Sequence, residues 1–146
     1  MSQLSTELRE LIESGPLAHL TTINADGSAQ VTGIWIGLDG DQIVSGHMSH
    51  KRLVQNIERD PRVVLSFSAP KEPGAFLIPY AVVRATASVS GPTEAAWELL
   101  DRLAKTYMAP DASFPAPRGP GYLNRYTVQS VSGVGPWEAK PHAFKE

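Results

Sequence analysis

Between Gln42 and Leu65 the chain reads QIVSGHMSHKRLVQNIERDPRVVL. A short apolar strand leads into a turn of small and polar residues carrying Ser45, Gly46, His47, Ser49 and His50, and Lys51 and Arg52 then open a helix. Cations at a helix start oppose the macrodipole, which favours negative charge there. A phosphate would reverse that penalty. The free backbone N–H groups of the first turn, the Ser49 hydroxyl and the two cationic side chains would all converge on it. His47 and His50 would line the same turn as donors to a phosphate or carboxylate. The competing reading is a solvated basic turn, the ordinary fate of surface charge.

Other residues invite chemistry less strongly. The strand Val31-Thr32-Gly33-Ile34-Trp35-Ile36 carries an interior glycine, which marks either a bulge or a place where a ligand approaches the backbone. His47 and His50 lack a third ligand and any cysteine, so no metal site is expected. No serine sits in a nucleophile-elbow pattern. Trp137, in Gly133-Val134-Gly135-Pro136-Trp137, reads as a terminal anchor, and Arg118 and Arg125 read first as ordinary surface charge, with contact to an anionic ligand as the alternative.

The elements that must position these residues follow from periodicity. Leu4, Leu8, Leu11 and Ile12 share a helical face that Gly15-Pro16 terminates. Strands are expected at 17–23 and 29–36, joined by Asn24-Ala25-Asp26-Gly27, and at 42–46 after Leu38-Asp39-Gly40-Asp41. Leu53, Val54 and Ile57 give the next helix a buried stripe, which Asp60-Pro61 ends. Strands at 63–67 and 78–90 follow, then a helix capped by Thr93 with Trp97, Leu100, Ala104 and Tyr107 on its apolar side, and a closing strand at 122–131. The stretch 109–121, rich in Pro and Gly, is too long for an ordinary connection, and loops of that kind tend to be functional or mobile. Six short strands with tight connections imply antiparallel pairing, and closure into a barrel with helices outside removes the exposed edges.

With 146 residues the chain is one domain, 1–146, large enough for a real core. Its formal net charge of -2 gives no electrostatic support to nucleic-acid binding. The absence of cysteine excludes disulfides and thiolate catalysis and is compatible with a reducing compartment. No apolar run approaches the roughly 18 residues of a membrane span, and the polar start MSQLSTELRE is unlike a signal peptide, so a cytoplasmic protein is expected.

Lys51 and Arg52, with Asn56-Ile57 and Asp60-Pro61-Arg62-Val63, resemble the element that follows the third strand in the pyridoxamine phosphate oxidase-like split β-barrels. Within that superfamily of flavin and deazaflavin oxidoreductases the chain is most similar to the branch using coenzyme F420. Three further segments agree in order and spacing: LTTINADGSAQVTGIWIGLDGDQI, PYAVVRATASV and SGVGPW, so the resemblance spans residues 8 to 137. One position departs. The family's lysine commonly lies three residues before the helix asparagine, where this chain has Leu53, with Lys51 and Arg52 just upstream.

The resemblance implies a mainly β (α+β) fold, a six-stranded antiparallel split β-barrel of the FMN-binding type with flanking helices. It also implies a homodimer with the cofactor between subunits. It would place the ring over Thr32, Gly33 and Ile34, the phosphate at His47, Ser49, His50, Lys51 and Arg52 with Asn56, and Trp137 at the border of the cleft. The implied activity is hydride transfer between reduced coenzyme F420 and a small organic acceptor of conjugated or quinone-like character, with no catalytic side chain assigned. The alternatives are an FMN-dependent oxidase or reductase of the same fold, and a non-catalytic protein that holds a cofactor or tetrapyrrole.

Overall fold

A computed structural model describes residues 4–138. The chain begins with α1 (Thr6–Glu13), whose Ser5 side chain accepts from the Leu8 N–H and whose Leu8, Leu11 and Ile12 are buried. Strands β1 (Ala18–Ile23) and β2 (Ala29–Ile34) form the first hairpin, and Gly27 takes the positive φ that its turn requires. β3 (Gly37–Asp39), β4 (Gln42–His47), α2 (Arg52–Arg59), β5 (Arg62–Ser68), β6 (Tyr80–Thr93), α3 (Ala95–Tyr107) and β7 (Gly121–Val134) complete the order.

Seven strands form one sheet in the order β2-β1-β5-β6-β7-β4-β3, and every pairing is antiparallel. The expected six become seven because the segment after β2 does not run on to residue 36. It breaks at Trp35-Ile36 and resumes as the three-residue β3, paired with β4. The two edge strands β2 and β3 are therefore joined by two residues, which forces the sheet to curl until its edges approach: a split barrel. Pairing is continuous from Ala18↔Ile34 to Ile23↔Ala29, so Gly33 marks no bulge.

The barrel interior holds Leu20, Ile36, Ile43, Leu65, Phe67, Val83 and Tyr126, with α1 and α2 contributing Leu8, Ile12, Leu53, Val54 and Ile57 to the same cluster. Along β6 the inward residues are Ala81, Val83, Ala85 and Ala87, while Tyr80, Val82, Arg84 and Thr86 face outward as the alternation requires. A second cluster joins Val44, Leu123 and α3 through Ala96, Leu99 and Leu103. Gly46 permits this close approach, because a Cβ there would lie 2.8 Å from the Ala96 carbonyl oxygen. β4 is consequently buried on both faces. The α3 start differs by one residue from expectation: β6 includes Thr93, and Glu94 takes the cap position, although the Thr93 hydroxyl still accepts from the Ala95 N–H at 3.2 Å.

Candidate anion and cofactor site

The turn between β4 and α2 has the properties its sequence suggests. Lys51 occupies the N-cap with extended backbone and no capping side chain, and the first turn of α2 contains no acidic residue. Ser49, Lys51 and Arg52 are exposed, and among the described residues neither cation makes a hydrogen bond or ion pair. Arg52 is near enough to the β1–β2 turn to help lower the Asp26 pKa, an effect dominated by hydrogen bonds from Ser28. The helix start therefore combines free N–H groups, a macrodipole and two unneutralised cations, a donor set that fits an anion such as a phosphate.

The neighbouring residues behave differently from one another. His50 is braced from α2: its Nε2 lies 2.7 Å from Glu58 Oε1, its carbonyl accepts from Gln55 Nε2 at 2.8 Å, and its ring rests 5.1 Å from that of Tyr122. Asn56 is buried and committed internally. Its Nδ2 donates to Thr22 Oγ1 at 3.0 Å and Asn24 Oδ1 at 2.9 Å, and its Oδ1 accepts from Arg59, which also donates to the Ile23 carbonyl. The polar atoms of Asn56, expected at the cofactor, clamp α2 to the β1–β2 hairpin.

His47 is more enclosed than its place in the turn suggests. It is 5% exposed at the end of β4 rather than an open lining of the turn, with Nε2 2.8 Å from Ser45 Oγ. Ser45 Oγ lies 2.7 Å from Tyr126 OH, and Asn124 Nδ2 donates to Tyr126 OH at 3.1 Å. Burial, with the Lys51 charge as a lesser cause, lowers the His47 pKa to about 4, so the ring is neutral near pH 7. Burial also pushes the Tyr126 hydroxyl up to about 12. A residue read as turn lining is part of a polar seam inside the barrel. The apolar run of β4 hid this, because on a strand buried on both faces period-2 alternation disappears.

Thr32, Gly33 and Ile34 lie on β2, an edge strand, whose alternate backbone groups point away from the sheet. Gly33 is exposed; a Cβ there would meet Leu17 Cδ1 at 3.2 Å. No hydrogen bond or ion pair among the described residues links these three to the basic turn. Trp137 lies elsewhere. Its Nε1 donates to the Tyr80 carbonyl at 2.8 Å at the start of β6, whereas α2 runs toward Pro61, whose carbonyl accepts from Ala87 N–H. Tyr80 and Ala87 are about 23 Å apart along an extended strand. Cavities of about 320, 240 and 210 Å³ occur on the surface, and none is lined by Lys51 or Arg52.

Arg118 and Arg125 are both held in ion pairs. Arg118 pairs with Glu94 at 2.8 Å and Glu98 at 2.5 Å and lies over the Trp97 ring, and Arg125 pairs with Asp39 at 2.7 Å. The Pro-rich segment is likewise fastened to α3: Phe114 N–H donates to Asp101 Oδ1, Trp97 Nε1 to the Ala116 carbonyl and Lys105 Nζ to the Ala112 carbonyl. His19 faces outward on β1 rather than into the barrel, and His142 lies outside the described residues. No group of three or more potential metal ligands occurs among the described residues.

A curled antiparallel sheet of this kind is also what the comparisons with known proteins return. The family model for pyridoxamine 5'-phosphate oxidase matches residues 4–132. The chain belongs to this family. Among solved structures it is similar to a protein described as an F420 reductase, at 25% identity and a TM-score of 0.69, covering 85% of this chain and 94% of that one. A conserved hypothetical protein from Mycobacterium tuberculosis shares the fold at 17% identity with a TM-score of 0.73, covering 97% of this chain and 90% of its own. No curated protein matches the sequence. The family is one of flavin-type oxidoreductases, and no helix among the described residues is long and apolar enough to cross a membrane.

Proposed function

We propose that this member of the pyridoxamine 5'-phosphate oxidase family is a coenzyme F420-dependent oxidoreductase that passes a hydride to a small conjugated or quinone-like acceptor. One observation carries the reading: the exposed, unpaired Lys51 and Arg52 at an uncapped, acid-free helix start. Similarity to a protein described as an F420 reductase supports the choice of deazaflavin. In this reading Ser49, Lys51, Arg52 and the first N–H groups of α2 hold the phosphate, and the free edge of β2 at Thr32–Ile34 bonds the polar rim of the ring. The coenzyme supplies the hydride chemistry; the chain binds it, orients it and excludes water.

The cleft is completed by a second copy. The outward face of β2, β1, β5 and β6 exposes Val31 at 61% and Tyr80 at 39%, with Leu17, just before β1, at 58%. A symmetric homodimer packed on that face covers it and brings Trp137 of the partner subunit toward the ring strand. Sedimentation at micromolar concentration is expected to give a dimer; a monomer that binds cofactor overturns this assembly.

FMN remains the second reading for a specific reason. Arg118 and Arg125 are already paired and not spare for an oligoglutamate tail, and the two cations of the turn also match a single phosphate. Titration of the cofactor-free protein with each compound, followed by fluorescence, decides between them. Tighter binding of coenzyme F420 at low salt is expected, with the preference narrowing as ionic strength rises. Equal or tighter FMN binding, or a flavin that co-purifies stoichiometrically, moves the protein to the FMN reading.

A further inference from the structure

The seam behind the basic turn has a direction, and proton counting fixes it. Asn124 Nδ2 can only donate, so Tyr126 OH accepts from it at 3.1 Å and directs its own single proton to Ser45 Oγ, 2.7 Å away. Ser45 then directs its proton to His47 Nε2 at 2.8 Å, which must carry a lone pair. With the Asn124 amide as it stands, a His47 Nε2–H donated to Ser45 leaves either the Ser45 or the Tyr126 hydroxyl proton without a partner; a fully reversed chain turns the amide over. Tyr126 would then donate to Asn124 Oδ1, Ser45 to Tyr126, and His47 Nε2–H to Ser45. That arrangement strands both amide N–H groups of Asn124 in the interior. The observed one strands a carbonyl oxygen and a single N–H, and orphaned buried donors are the rarer and costlier kind.

The other ring nitrogen faces a different environment. Among the described residues, Asn124 Oδ1 is the fully enclosed side-chain polar atom that lacks a partner. His47 Nδ1 makes no hydrogen bond among the described residues and belongs to the last residue of β4, where the chain enters the 48–52 turn.

We propose that Asn124 and Tyr126, acting through Ser45, hold His47 as the neutral tautomer protonated on Nδ1, and that this N–H donates to the anion bound by the Lys51–Arg52 turn. The second half rests on the anion reading given under the proposed function; the first half does not. Asn124, Tyr126 and Ser45 are positioning residues: they set which nitrogen carries the proton without touching the ligand.

Long-range nitrogen–proton correlation spectra of the histidine rings test the first half on the ligand-free protein, with His47→Gln supplying the assignment. The expected pattern is a protonated Nδ1 and a bare Nε2 at His47; a protonated Nε2 overturns the relay. Tyr126→Phe keeps the ring and cuts the chain, so its His47 signals are expected to shift toward a tautomer mixture, and an unchanged Nδ1–H form in the folded variant also overturns the relay. Inorganic phosphate then probes the second half. Backbone amides of 49–52 and the His47 ring signals are expected to move together, and Tyr126→Phe to weaken phosphate binding by roughly 2- to 10-fold, one neutral hydrogen bond. Amide shifts with an unmoved ring overturn the donor role alone. No amide shift at all overturns the anion turn and leaves the tautomer result standing.

Discussion

The 48–52 turn and the α3 strap are both rich in charge, yet only one has charge to spare. Around α3, Arg118 is held by two glutamates and stacked on Trp97, and Arg125 is matched by Asp39. At the turn, Lys51 and Arg52 stand at an uncapped helix end with no carboxylate partner among the described residues. A cation count is therefore no measure of anion affinity. What matters is whether the fold has already used the charge, and here it has used Arg118 and Arg125 and left Lys51 and Arg52.

The largest expected difference between the two regions is in acid. His47 has a folded pKa of about 4, below its ordinary value of 6.5, so the unfolded chain binds more protons between those limits. Stability then rises with pH across that window and is lost on acidification from about 6.5 to 4, by up to about 3 kcal/mol from this group. Denaturant midpoints measured at pH 7 and 4.5 check it, and His47→Gln should flatten this part of the profile. A profile unaffected by the substitution contradicts the buried neutral ring.

Substitution separates the regions next. Lys51→Ala and Arg52→Ala are each expected to weaken cofactor binding by about 1–3 kcal/mol, with little change in thermal stability, because both side chains lie outside the apolar stripe of α2. Arg118→Ala is expected to leave binding unchanged; equal losses from the strap and the turn would erase the distinction. Asp101→Ala removes the acceptor of the Phe114 N–H and should lower stability by about 1 kcal/mol while sparing cofactor affinity. The smallest effect is the salt response. Raising ionic strength should weaken cofactor binding to the parent protein and do so less for the Lys51→Ala variant.

Much of the fold was legible because the local signals agreed with one another. Gly15-Pro16 ends α1, Asn24–Gly27 makes the first hairpin turn, and the alternation from Tyr80 to Ala87 sorts β6 into its two faces. β3 was not legible, since three residues give no period to detect. The site was read less completely for a related reason: its chemistry depends on partners distant in sequence. Asn56 meets Thr22 across 34 positions and Arg125 meets Asp39 across 86, and neither pairing leaves a mark in the local pattern. The free turn was visible because what defines it, two cations and an acid-free helix start, is local.

The two-residue bridge from β2 to β3 also bears on how this chain reaches its native state. Residues adjacent in sequence end on opposite edges of the sheet, and the interior strands β5, β6 and β7 lie between the hairpins β1–β2 and β3–β4. The contact that seals the β4–β7 seam, Ser45 with Tyr126, spans 81 positions. Loop entropy is spent before such contacts repay it, which places folding in the slow regime of milliseconds to seconds typical of nonlocal β topologies. Hairpins β1–β2 and β3–β4 are expected to gain amide-exchange protection early, and the polar seam behind the basic turn to be among the last features to form.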